Sequence, residues 1–387
     1  MPKGLPSAAD LIAERAVTFF SVDTDIIQGL GYKFEEGALR ALYLQRPNWM
    51  SVCLTEVVQK EVMDHRMEPV LSAAQELGSS LAKIQRLSKV DISEISEKIA
   101  IAPFEAEARE RFKGEFNSFV ARLTGKVLPL SGDHLAANMF SRYFNGEPPF
   151  ETRKEKKFEF PDAAALLVLE SYAEANNTRG ILISKDGGWS NFAERSDRLY
   201  CVKSLDEFVS LFESKGDNAD RVKVKIREGL NARGNNFFLE IESALSHDVE
   251  NANWRVDDVY TGFALRVEAY VAGIGYTDCD LDADDIKVWF VEHDPSLCTV
   301  ELQVSVAVNL DIDIQFYQYD SIDHDEVNVA SDEVSRDVTI DLDVYLTCKG
   351  ELLQEDVDEW DIEVTISGGR YRVDVGEVNP DFGEDDY

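Results

Sequence analysis

The chain has 387 residues, 44% of them hydrophobic and 29% charged, and a formal net charge of -35. That length holds two or three domains, each able to bury its own core, and the composition is that of a globular protein. No apolar run approaches the roughly 20 residues that span a bilayer, and MPKGLPSAAD lacks the basic-then-apolar layout of a signal peptide, so a cytoplasmic protein with no membrane partner is expected.

Cys53, Cys201, Cys279, Cys298 and Cys348 are scattered and form no C-x-x-C; the five histidines are equally dispersed, with no H-E-x-x-H. A disulfide framework and a thiolate zinc site are both disfavoured, and a metal would have to be held by oxygen, as magnesium or manganese is. The charge is uneven. From Gly216 onward there are 42 acidic and 12 basic residues, against 32 and 27 before it. Two regions of different electrostatic character share the chain.

Residues 1–16 read as a lead-in with a short helix. VTFFSVDTDII is an apolar strand that ends on Asp23-Thr24-Asp25. Helical periodicity follows from Glu35 to Leu44, then a strand from Met50 to Leu54. TEVVQKEVMDHRM comes next, with Glu61 near the start of a helix. Glu68 to Arg122 is mostly helical, broken into pieces at Pro103, and reads as a scaffold over one sheet edge or as a lid. Ser131-Gly132-Asp133 carries an N-cap signal for a helix to about Phe144. The loop NGEPPFETRKEKKFEFP leads to Asp162, which opens an apolar-periodic helix. A strand from Gly180 to Ser184 precedes Lys185, Asp186 and Gly187-Gly188. Leu199 to Val202 is a strand before a helix capped by Ser204, with Glu207 at the capping-box position. Strands alternating with helices over 17–215 predict a parallel, doubly wound sheet.

Residues 217–247 read as two helices broken at Arg233-Gly234-Asn235. From about Trp254 strand patterns dominate, with apolar and acidic residues alternating as in LDIDI and TIDLDVYL, the mark of strands buried on one face. An antiparallel sandwich or open barrel is expected, with a disordered tail, NPDFGEDDY.

A strand-end Asp (Asp23), an early-helix Glu (Glu61), a helix-start Asp (Asp162) and a second strand-end Asp (Asp186), in that order, resemble the PIN-domain nucleases. The matching motifs are VDTDI at 22–26, the TEVVQKE run ending in Glu61, EFPDAAALLVLE at 159–170 and ILISKDGGW at 181–189. The resemblance implies an α/β PIN-like domain over 1–215, a parallel sheet flanked by helices with a helical insertion at about 66–145. An acidic, mainly antiparallel β (α+β) domain with two leading helices would follow over 216–387.

It also implies a metal-dependent endoribonuclease in which Asp23, Glu61, Asp162 and Asp186 are catalytic and hold Mg2+ or Mn2+, with Asp25 as an auxiliary ligand and Glu56 as the fallback for Glu61. Four converging carboxylates repel and take up protons unless a cation is present. Two ions about 4 Å apart can activate water and neutralise the leaving oxygen of an in-line phosphodiester displacement. Arg153, Lys154, Lys156, Lys157 and Lys185 are the candidate RNA phosphate contacts, and Phe158 and Phe160 the candidate base-stacking rings.

Each acid has a bland reading too: Asp162 as a helix cap, Asp186 as a turn residue, Glu61 as a solvated helix position. The family analogy extends to a toxin or defence effector, RNA as partner, and regulation or self-association through the acidic β domain. That domain reads first as a solubilising scaffold, then as a docking or regulatory surface, and last as a calcium site at Asp280, Asp282, Asp284 and Asp285. Two rivals remain. D-T-D-I-I also resembles the haloacid-dehalogenase phosphatases, whose first Asp is a nucleophile, although Glu61 has no role there. The other is a PIN-like module that binds RNA or a partner without cutting.

Overall fold

The computed structural model describes residues 15–89, 101–132, 134–150, 159–281, 285–292, 294–320 and 325–380. The lead-in helix, the basic residues at 153–157 and the acidic tail lie outside these. Two compact units emerge, Met1–Glu35 with Gln45–Glu213, and Glu36–Leu44 with Ser214–Tyr387.

The first unit is built on β1 (Val17–Val22), which leads into a one-turn α1 (Thr24–Gly29). α2 (Gly37–Gln45) falls almost wholly in the second unit, where Ala38 N donates to Ser367 Oγ at 3.1 Å. β2 (Ser51–Thr55) runs into α3 (Glu56–Ser88), capped by Thr55 Oγ1 on Val58 N, and α4 (Ile101–Arg122) follows. β3 (Lys126–Leu128) and α5 (Leu135–Asn145) precede α6 (Phe160–Ala175), β4 (Arg179–Ile183), α7 (Gly187–Arg195), β5 (Leu199–Val202) and α8 (Leu205–Ser210).

The strands form one all-parallel sheet in the order β3-β2-β1-β4-β5. Their near-continuous apolar sequences suit a sheet covered on both faces; Phe19, Phe20, Val52, Leu54, Ile181 and Leu182 are fully buried. Chain order reverses between β1 and β4. The crevice outside the carboxyl ends of these two strands is therefore the topological switch point, where open α/β sheets place ligands. Across this pair Gly180 leaves room for the Phe19 ring, with which any Cβ would collide.

Several local expectations shift. Helix α3 continues through Pro69 to Ser88 and is closed by Lys89 in the left-handed region. α4 is described from Ile101, and residues 90–100, just before the break expected at Pro103, lie outside the described residues. The region 66–145 is not helical throughout, since β3 lies within it and extends the sheet beyond β2. α5 starts after His134, which makes no side-chain cap bond; Asp133 lies outside the described residues. The Ser204 cap is present, Oγ accepting from Glu207 N at 3.0 Å, while Glu207 reaches back to Lys203 N.

In the second unit α9 (Asp217–Asn231) and α10 (Asn236–Asn251) are separated by a turn in which Gly234 has φ +102°. The strands are β6 (Asn253–Tyr260), β7 (Arg266–Leu281), β8 (Lys287–Val291), β9 (Asp294–Asp320), β10 (Asp325–Lys349), β11 (Asp361–Ile366) and β12 (Arg370–Glu377). An antiparallel sheet runs β11-β10-β9-β7, with β8 also on β9. β6 and β12 pair in parallel, the exception to the antiparallel expectation. Along β9, Val304, Val306, Val308, Leu310, Ile312, Ile314 and Phe316 all point into one core that also holds residues of α9, α10 and β12. The period-two alternation is the direct cause: one face is apolar and buried, the other mainly polar, with Asp311 and Asp313 on it.

Candidate functional site

Asp23 follows the last residue of β1, and its backbone N–H continues the ladder onto Ile183 O of β4 at 3.0 Å. The carboxylate is buried at 6% exposure. Oδ1 accepts from Thr24 N at 2.7 Å, capping α1, and Oδ2 accepts from Ser184 Oγ at 2.5 Å. Ser184 stands at the end of β4 and is fully buried; its oxygen also accepts from Asp186 N at 3.0 Å. One hydroxyl thus ties the ends of the two central strands and positions two acids at once.

Asp186 is not a turn residue. It is the N-cap of α7, Oδ1 accepting from Gly188 N at 2.6 Å and Trp189 N at 3.1 Å. Gly188 is required by close approach: a Cβ there would meet Pro149 Cβ at 3.1 Å and Pro149 O at 3.2 Å. Asp162 is not a cap. The N-cap of α6 is Glu159, and Asp162 lies in the first turn with Oδ1 accepting from Trp189 Nε1 at 2.8 Å. Glu61 sits on the second turn of α3, half-buried, and its Oε2 accepts from Thr24 Oγ1 at 2.7 Å. Glu56 is turned elsewhere, accepting from Leu130 N. Asp25 and Lys185 are exposed.

The electrostatics tie these acids together. Burial raises Asp23 from the ordinary 3.8 to about 7, against the lowering bonds from Ser184 and Thr24; the charges of Asp162 and Asp25 add to the rise. Burial likewise raises Asp162 to about 6, opposed by the Trp189 bond and reinforced by Asp186, Glu61 and Asp25. Mutual repulsion reaches across residues from β1, α1, α3, α6 and the β4–α7 junction. Among the described residues, however, no three His, Cys, Asp or Glu side chains converge closely enough to hold a metal ion as they stand. The two observations agree physically. Each of three acids gives one oxygen to a protein donor, and Oδ2 of Asp162, Oδ2 of Asp186 and Oε1 of Glu61 lie outside those bonds.

The donor set fits a hard divalent cation: it is all carboxylate oxygen. The neighbouring thiol, Cys201, is held protonated by burial, with Ser190 bonded to it, and is a poor ligand in that state.

Residue-level sequence reading missed three donors: Thr24, Ser184 and Trp189. A signal existed for two of them. A hydroxyl at the end of the apolar strand GILIS, and an indole N–H just past a Gly-Gly, both need a partner when buried. The basic residues Arg153, Lys154, Lys156 and Lys157, together with Phe158, lie outside the described residues, as do Asp282 and Asp284 of the calcium reading. Phe160 is half-buried among Phe140, Tyr143 and Phe150, so it supports other rings rather than facing solvent.

A family model described as PIN domain matches residues 21–189, which span Asp23, Glu61, Asp162 and Asp186. No curated protein and no solved structure matches the chain.

Proposed function

We propose, from the match of residues 21–189 to a family model described as PIN domain, generally a metal-dependent nuclease fold that binds RNA, that the protein is an Mg2+- or Mn2+-dependent endoribonuclease. The site is the switch-point crevice. The observation that carries this reading is the meeting of buried Asp23 and half-buried Asp162 at the switch point, each held by a protein donor and each raised toward neutrality by burial and by the charges of neighbouring acids. A cluster that costs this much without a cation is built to receive one.

In this reading Asp23, Glu61, Asp162 and Asp186 hold the cation, with Asp25 at the exposed rim. When bound, a divalent ion lowers the pKa of water and offsets charge on the leaving oxygen of a phosphodiester attacked in line. The chain's own residues prepare the place. Ser184 orients Asp23 and the backbone of Asp186, Trp189 fixes one oxygen of Asp162, and Thr24 fixes one of Glu61. These outer contacts occupy one oxygen each of Glu61, Asp162 and Asp186 and both of Asp23. Lys185, exposed beside Asp186, and the cations at 153–157 are the proposed phosphate contacts. A toxin or defence role, restrained by or self-associating through the acidic second unit, extends this reading by analogy.

The test is incubation of the full chain with mixed single-stranded RNAs and Mn2+, resolved on a denaturing gel. Cleavage that EDTA abolishes, and that Asp186→Asn lowers by about 100-fold or more, is expected. Intact RNA, or equal cleavage by Asp23→Asn and Asp186→Asn, overturns the reading. Release of phosphate from a phosphomonoester in its place points to the phosphatase alternative.

A further inference from the structure

Helix α5 buries none of its residues. Its Phe144 is 77% exposed and its Phe140 48% exposed, which is unusual for side chains of this size. The two rings, one helical turn apart, lie nearly parallel, 26° between planes and 6.4 Å between centroids.

Other aromatic rings stand behind them. Phe140 packs on Phe160 at 5.6 Å, and Phe160 on fully buried Phe150 at 5.0 Å. Phe160 opens α6, two residues before Asp162, and Pro149, beside Phe150, packs against Gly188 under the Asp186 cap. The exposed rings are therefore built onto the same supports as two of the site's acids.

We infer that Phe140 and Phe144 form a stacking platform for unpaired bases of the RNA strand whose phosphodiester enters the carboxylate crevice, and so select single-stranded substrate. The inference rests on the nuclease reading above and names its substrate class. The charged contacts proposed above hold phosphate only, and the exposed rings add a contact for the bases that carries no charge. Bases offer flat π-faces to an aromatic platform whatever their sequence, and in a duplex those faces are hidden. Two near-parallel rings one turn apart suit neighbouring bases better than they suit a peptide's irregular apolar side chains.

The experiment uses the full chain with two labelled RNAs, a single-stranded 12-mer and the same 12-mer with consecutive abasic positions. Phe144→Leu and Phe140→Leu keep apolar bulk but remove the aromatic face. Each is expected to raise KM for the intact strand by about 10- to 100-fold, to leave kcat within about twofold, and to leave KM for the abasic strand unchanged. Phe144→Trp is expected to restore the intact-strand KM, with fluorescence of the introduced indole quenched by the single strand and not by a duplex. Unchanged KM in the Leu variants overturns the inference, as does a loss equal on both strands. If wild type cleaves no RNA, the nuclease reading fails while the indole quench still decides the stacking: quench supports the platform and its absence removes it. Concentration-dependent self-association lost in Phe144→Leu, without an effect on RNA, assigns the rings to a protein interface instead.

Discussion

At the scale of residues, Asp23 carries the most physical tension. Its folded pKa of about 7 lies above the ordinary 3.8, so the folded state keeps a proton that the unfolded chain releases between these values. Stability contributed by that proton is full below about pH 4 and lost as pH rises to about 7, by roughly 2–4 kcal/mol. Asp162 acts in the same direction, over 3.8 to about 6. Asp23→Asn removes the penalty while keeping an N-cap side chain for α1. In EDTA the variant is expected to melt several degrees above wild type at pH 8, and to match it near pH 4. Equal melting temperatures at both pH values would show that the carboxylate is not strained. Trp189→Phe deletes the bond that lowers Asp162. The pH midpoint for Mn2+ binding, followed by calorimetry, is expected to move upward, with affinity at pH 7 falling about 10- to 100-fold. An unmoved midpoint would leave Trp189 as packing alone.

At the scale of elements, glycine and hydroxyl positions decide how the parallel sheet presents its acids. Gly180 makes room for the Phe19 ring between β4 and β1, and the two strand ends meet at Ser184. Gly180→Ala forces the Phe19 ring to move and is expected to cost about 1–3 kcal/mol in urea unfolding; a neutral result would mean that the ring relocates freely. In the second unit the alternation of β9 does the equivalent work. Ile312 is fully buried, and Ile312→Ala is expected to cost about 2–5 kcal/mol. Both strand sets were legible in sequence, since period and apolar content differ so plainly between them. β3 was not, because three residues carry no period. The β6–β12 pairing was not either, because parallel partners more than a hundred residues apart share no local turn signal.

At the scale of the whole molecule, the acids' raised proton affinity links fold, pH and metal. A cation that binds only the folded chain stabilises it in proportion to the logarithm of its concentration over Kd. Protons compete for the same carboxylates. Added Mn2+ is therefore expected to raise the melting temperature markedly at pH 8 and little at pH 5. The same rise at both pH values would place the ion away from Asp23 and Asp162. No helix among the described residues is long and apolar enough to cross a membrane. The charge of the second part of the chain, 42 acids against 12 bases, gives a polyanion no attractive field there.

The chain alone determined the order of elements in each half and the acids that end strands or begin helices. Those follow from local periodicity, backbone preference and residue type. Only tertiary structure decided which atoms hold each acid: that Asp162 answers to the indole of Trp189 rather than capping its own helix, that Ser184 binds two acids, and that Phe160 is a support while Phe144 is exposed. These depend on side chains from separate segments meeting in space, 27 residues apart for Asp162 and Trp189 and 161 for Asp23 and Ser184, and no spacing along the chain encodes the directions in which they point.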